Sequence, residues 1–193
     1  MHMALLYIAF NKPYGVLSTF KDEEGRPTLA DYISVKYVYV AGRLDFKSEG
    51  LLLLTNDGEL NHRITHPMYE HLKTYLTQVE GVVIPEAVQK LGDTKVLAEQ
   101  NYLPAEVSII PDPELWPRPV PVRDYHPTTW LKIILREGKK HQVRRMTASV
   151  GYPTLRLVRV AIGSLAMGEL SSGDWRWLQP EEVRALKEIP IRN

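Results

Sequence analysis

Two apolar runs, Tyr37 to Ala41 and Leu51 to Leu54, read as buried strands, and the polar stretch Gly42-Arg43-Leu44-Asp45-Phe46-Lys47-Ser48-Glu49-Gly50 separates them. Gly42 and Gly50 bracket that loop and permit sharp backbone turns. The arrangement holds Asp45 near the ends of two rigid strands, where a single carboxylate can be well positioned. A turn aspartate that bonds its own backbone would satisfy the same spacing.

The rest of the chain is rich in strands with scattered helices. Leu5 to Phe10, Thr74 to Glu80, Leu103 to Ile110, Thr129 to Arg136 and Leu155 to Ile162 read as strands. Thr28 to Ile33 reads as a short helix capped by Thr28. Glu59 to His66 is a helix stopped by Pro67, and Pro85 to Leu91 a helix opened by proline. Lys139 to Val150 is the strongest helical pattern, and Pro180 to Lys187 closes the series. Strict β-α alternation is missing, so the expected class is α+β, with a mainly antiparallel mixed sheet and flanking helices. Six prolines between 111 and 127 mark an ordered surface excursion of extended backbone.

Hydrophobic residues make up 44% of the 193, enough for a packed core. No apolar run approaches the roughly 20 residues that span a bilayer, and nothing reads as a signal peptide. Cysteine is absent, which excludes disulfides, a thiol nucleophile and Cys-ligated zinc. The cytoplasm is the default location, and Met1-His2-Met3 reads as a cloning remnant ahead of a domain covering 4–187. The net charge of +1 is unevenly spread. Between 136 and 159 seven basic residues face Glu137 alone, a net +6, which leaves −5 for the remainder. A local basic patch of this kind attracts a phosphate backbone.

Further motifs carry a family resemblance. Gly42-Arg43-Leu44-Asp45, followed by Ser48-Glu49-Gly50 and the Leu51–Gly58 run, resembles the catalytic motif of RsuA-type RNA pseudouridine synthases. Asn11-Lys12-Pro13-Tyr14-Gly15-Val16-Leu17 is similar to the family's opening, and Lys73-Thr74-Tyr75 to its Lys-x-Tyr segment. Gly138-Lys139-Lys140-His141-Gln142-Val143-Arg144-Arg145-Met146 resembles its basic motif, and Leu157 to Gly163 the strand after it. The resemblance covers about residues 7 to 180, and the Pro-rich segment looks closest to the branch acting on 23S ribosomal RNA.

The resemblance implies two lobes around a cleft, a catalytic Asp45 and no metal or cofactor. It implies isomerisation of a ribosomal RNA uridine to pseudouridine. Asp45 would act either as nucleophile on the sugar or as the base leading to a glycal. The target base must leave its helix. Tyr75 would abut the uracil, Val143 and Leu157 would wall its pocket, and Arg43 would hold a phosphate or fill the gap left by the base. Lys139, Lys140, His141, Gln142, Arg145, Arg156 and Arg159 are the expected further RNA contacts. No room remains for the S4 domain that most of the family carries, and a monomer is expected. A catalytically idle RNA-binding or assembly factor on this fold, and a synthase directed at transfer RNA, are the alternatives.

A helical wheel from Lys139 to Val150 puts Val143, Met146, Thr147 and Val150 on the core face. Arg144 lies at its border beside Lys140, while His141 and Arg145 point away. The family pairs the first arginine of this motif with the catalytic aspartate, so an Arg144–Asp45 ion pair is expected. His62 and His66 have metal-ligand spacing, but Arg63 stands where a zinc protease motif carries Glu.

Overall fold

A computed structural model describes residues 4–69, 71–93, 101–123 and 125–188. The expected remnant at 1–3 lies outside them. The chain runs through β1 (Tyr7–Lys12), β2 (Tyr39–Ala41), β3 (Glu49–Thr55), α1 (Gly58–Thr65), β4 (Lys73–Glu80) and α2 (Pro85–Gly92). It continues through β5 (Glu106–Ile110), β6 (Thr128–Leu135), α3 (Gln142–Ser149), β7 (Thr154–Ile162), β8 (Leu165–Ala166), β9 (Trp175–Trp177) and α4 (Pro180–Lys187).

The nine strands among the described residues form one sheet, ordered β5-β6-β4-β7-β3-β1-β9, with β2 added to β3 and β8 to β7. Every pairing among the described residues is antiparallel except β3 with β7. That parallel seam has two register pairs, Glu49 with Val158 and Gly50 with Arg159. It joins two antiparallel halves, so the class is α+β on a mainly antiparallel mixed sheet.

The leucine run explains why β3 lies centrally. Leu52 and Leu54 pack on one sheet face with Ile8, Phe10, Tyr75, Val79 and the α2 and α3 residues Leu91, Val143 and Met146. Leu51 and Leu53 pack on the opposite face with Ala9, Ala41 and the α1 and α4 residues Leu60, Ile64 and Leu186. Alternate side chains leave a strand on opposite faces, so four consecutive leucines demand cover on both. All four are fully buried.

Local capping rules hold at several ends. Thr28 and Asp31 form a capping box around a single 3-10 turn, Leu29–Asp31. Asp57 caps α1 by accepting from the Leu60 amide at 3.1 Å. The 111–123 excursion carries neither helix nor strand. It tucks Trp116 and Arg118 inward: Trp116 Nε1 donates to Glu49 at 3.1 Å, and Arg118 stacks 4.7 Å from the Tyr14 ring centre.

One expectation needs correction, and one strand was not foreseen. The Lys139–Val150 helix starts only at Gln142, because His141 adopts a left-handed conformation (φ 56°, ψ 24°) that no helix interior admits. Strand β9 was not expected from its residues; Trp175–Trp177 pairs with Ile8–Phe10. A three-residue strand is too short to display a period, and its pairing with the chain's start supplies the order.

Candidate active site

The loop between β2 and β3 runs along the parallel seam, and other elements hold it at nearly every residue. Arg159, on β7, donates from Nη2 to Gly42 O and from Nε to Leu51 O, both at 2.8 Å, gripping the loop before and after. Ser18 donates to Leu44 O at 2.7 Å and accepts from Leu44 N at 3.1 Å. The Gly15 amide donates to Phe46 O at 2.9 Å. Arg144 donates to Lys47 O at 3.1 Å and to Thr154 O at 3.4 Å. Ser48 N closes the turn onto Asp45 O at 3.0 Å. Asp45 is therefore fixed by its backbone, and its side chain stays partly exposed.

Around Asp45 opens a cleft of about 1140 Å³. Arg26, Arg43, Lys73, Lys139, Lys140 and Arg159 line it, with His141, and Asp45 is the sole acidic residue among the described lining. Tyr75, Val143 and Leu157 line it too, with Phe46 and Leu135. Strand alternation sends Lys73 and Tyr75 to the same side of β4. A bulge in the β4–β7 pairing follows Thr74 and sets Tyr75 directly across from Arg159.

Burial shapes the cations. Lys73 donates to His71 O at 3.2 Å, and burial, reinforced by Arg159 nearby, lowers its pKa to about 8. Lys12, beneath the loop, donates to Pro13 O and Val16 O at 2.8 Å. Burial brings its pKa to about 7, against the opposing pull of Glu49 and Asp45. Burial also pushes the Arg144 guanidinium below its ordinary value, with the Asp45 charge opposing.

The Lys73 shift gives a stability prediction. The folded pKa lies below the unfolded value, so between about pH 8 and 10.5 only the unfolded chain holds that proton, and stability rises with pH there. Lys73→Met should therefore be stabilised relative to wild type most strongly below pH 8. The difference should shrink by on the order of 3 kcal/mol as pH climbs to 10.5. Denaturant melts at pH 7 and 10 measure it, and a pH-independent difference would contradict the buried, charged Lys73.

The structure brings most of the expected residues together and separates some. Asp45, Tyr75, Arg43, Val143, Leu157, Lys139, Lys140, His141, Gln142 and Arg159 all line the cleft; Arg144, Arg145 and Arg156 do not. The expected Arg144–Asp45 ion pair is not formed. Arg144 is spent on the two carbonyls, and His141 Nδ1 lies 3.3 Å from Asp45 Oδ2 instead. The wheel failed because His141 precedes the helix, and its left-handed backbone turns the imidazole onto the loop. Arg156 cannot meet RNA: it is buried in a two-pronged pair with Glu49 at 2.9 and 3.0 Å. Gln142 spends its amide on Glu137 and Lys139 N, bracing the turn before α3.

The basic 136–159 segment is accordingly not one surface. Arg136 pairs with Glu106 at 3.7 Å and Lys139 with Glu137 at 3.3 Å, while Arg156 and Arg159 are internal. Charge summed along sequence missed partners from distant segments. The reading also missed Ser18, Arg26, Lys12 and Lys73. Lys12 and Lys73 lie inside motifs already singled out, and lysines beside apolar strand residues were the available signal.

A family model described as RNA pseudouridylate synthase matches residues 6–149. Ribosomal large subunit pseudouridine synthase E of Vibrio vulnificus is 52% identical over 171 residues, covering 88% of this chain and 73% of that protein. Its counterpart in Xanthomonas campestris is 51% identical over 187 residues, covering 94% and 98%. A solved pseudouridylate synthase structure superposes with a TM-score of 0.79 at 28% identity, covering 95% of this chain and 74% of its own. No helix among the described residues is long and apolar enough to cross a membrane.

Proposed function

Because the chain belongs to the RNA pseudouridylate synthase family, we propose that it isomerises a uridine of large-subunit (23S) ribosomal RNA to pseudouridine, with Asp45 as the catalytic group. The observation that carries this reading is the charge of the cleft: one carboxylate among its described lining, on a loop braced from several sides, with Arg43 and Lys140 exposed at the rim and Lys73 and Arg159 buried behind it. The cations suit a polyanion and the carboxylate suits the sugar. We take 4–187 as one catalytic domain, acting as a monomer in the cytoplasm.

The reaction breaks the N1–C1′ bond, turns the uracil and joins C5 to C1′; the C5 proton leaves to solvent and N1 takes up a proton in its place. Atoms and oxidation state balance without a co-reactant. The uridine leaves its stack to enter the cleft, at a cost of a few kcal/mol offset by contacts inside. Tyr75 abuts the uracil ring and Val143 and Leu157 give it apolar walls. Asp45 then meets the ribose. Arg43 and Lys140, exposed at the rim, meet the phosphates. His141 holds the carboxylate from the α3 side.

Tritium release from transcripts labelled at uridine C5 tests the assignment. Release is expected with 23S ribosomal RNA and not with 16S ribosomal or transfer RNA. Release from transfer RNA alone would transfer the substrate; no release from any, partly assembled subunits included, would remove the activity.

Arg144 enters this mechanism through the loop. Arg144→Ala frees the Lys47 carbonyl, and small displacements of a reacting group cost up to about a hundredfold. Single-turnover rates at saturating RNA should fall about ten- to a hundredfold, with affinity changed less than about threefold. A loss confined to affinity would make Arg144 an RNA contact.

A further inference from the structure

Among the recesses that the described residues form outside the cleft is a small one of about 350 Å³, near the low end for ligand-sized sites. Tyr39 and His62 both line it, with Thr55, Gly58 and Asn61. Tyr39 is 63% exposed, unusual for a strand tyrosine. The recess adjoins the cleft: Thr65 lines both, and Val40, the next residue after Tyr39, lines the cleft.

The His62–His66 spacing finds its structural use here. The two rings stack at 5.0 Å between centres, tilted 34°. Tyr69 meets both edge-on, at 5.7 and 6.2 Å. His66 Nδ1 accepts from the Met68 amide at 3.3 Å, which holds its ring in place. Among the described residues no group of three or more His, Cys, Asp or Glu is placed to share a metal ion. His62 is thus a ring backed by other rings, bordering the recess that Tyr39 also borders. Local charges are already matched: Arg63 with Glu59 at 2.9 Å, and Asp57 with Lys187 at 2.6 Å. The recess therefore offers aromatic faces without spare cations, the chemistry of a nucleobase rather than of a phosphate. Asn61 Nδ2 donates to Val40 O at 3.3 Å, which leaves its Oδ1 to accept from a base edge.

We propose that this recess is a slot for one unpaired nucleobase, from a nucleotide flanking the target uridine. It takes the base against Tyr39 and His62 while the target occupies the cleft. The proposal rests on the RNA substrate assigned above. It explains how a strand drawn toward the cleft is held after its stacking has been broken. Base–aromatic stacking is worth about 1–3 kcal/mol by alanine substitution, and it does not depend on counterion release.

The test uses the full chain and a fluorescein-labelled ten-residue oligouridylate, titrated from 50 to 300 mM salt. Tyr39→Ala and His62→Ala should each weaken binding about five- to a hundredfold, with the salt slope unchanged. Tyr39→Phe and His62→Tyr should bind like wild type. Both sites are exposed, so circular dichroism is expected to show intact folds. An alanine variant that binds as wild type overturns the slot, as does a loss that appears only as a flatter salt slope. Tritium release by wild type, run alongside, keeps the readings apart. A wild type that binds the oligouridylate through Tyr39 yet never isomerises uridine would spare the slot and overturn the enzyme. Full isomerisation with tight-binding Tyr39→Ala would do the reverse.

Discussion

Asp45→Asn is expected to abolish isomerisation while leaving fold and RNA affinity in place. The loop is positioned by Gly42, Leu44, Phe46 and Lys47 backbone atoms, none of which the substitution touches. The amide oxygen still faces His141 Nδ1, which lies 3.3 Å from the carboxylate in the native protein. Shape and rim contacts therefore persist. What disappears is the negative oxygen that must attack or deprotonate the ribose, and no other acidic group among the described residues lines the cleft to replace it. Tritium release should fall at least about a thousandfold, equivalent to about 4 kcal/mol of barrier. Activity within tenfold of wild type would sink the assignment of Asp45, and a matching loss of RNA affinity would recast it as a binding residue.

Gly50→Ala should be the most damaging single change to stability. Gly50 sits at φ +101°, where side chains are strained, and it is one of the two residues of β3 that pair with β7. An added methyl would overlap Arg159 O and stand 2.8 Å from Arg159 N and 2.9 Å from a Val158 methyl. Backbone cannot step aside as a flexible side chain could. The seam must open, and the grip of Arg159 on Gly42 and Leu51 goes with it. We expect a loss of at least about 4 kcal/mol, near the limit for point changes, and a Tm lower by roughly 8–16 °C. Gly58→Ala serves as control, because its methyl would meet nothing within 4 Å. Thermal melts of the two should diverge widely; similar melts would mean the seam yields easily.

How much of this could be read from residues alone depended on the range of the forces involved. Strands β3 and β4 were legible because burial patterns are local: the leucine run and the alternation from Thr74 to Glu80 need no partner to be recognised. The Thr28 cap was legible for the same reason. Arg156 was misread because its partner, Glu49, lies 107 residues away, and nothing in the local charge pattern announces that ion pair. His141 was misread through a single torsion. A wheel begun at Lys139 assumes helical backbone for three residues that turn instead, and the error lands on the residue touching Asp45. The cleft itself depends on a bulge and a parallel seam, both of which arise only when segments from opposite ends of the chain meet.

That seam has a consequence for synthesis. Leu51 and Arg159, joined by a hydrogen bond across it, are 108 residues apart. At about 5–20 residues per second, a ribosome delivers the second roughly 5 to 20 s after the first. For most of that interval the growing chain already carries Asp45, on a loop that lacks its clamps from Arg144 and Arg159. The carboxylate is made early and the machinery that aims it is made late, so an unfinished chain holds the reactive group without the means to use it.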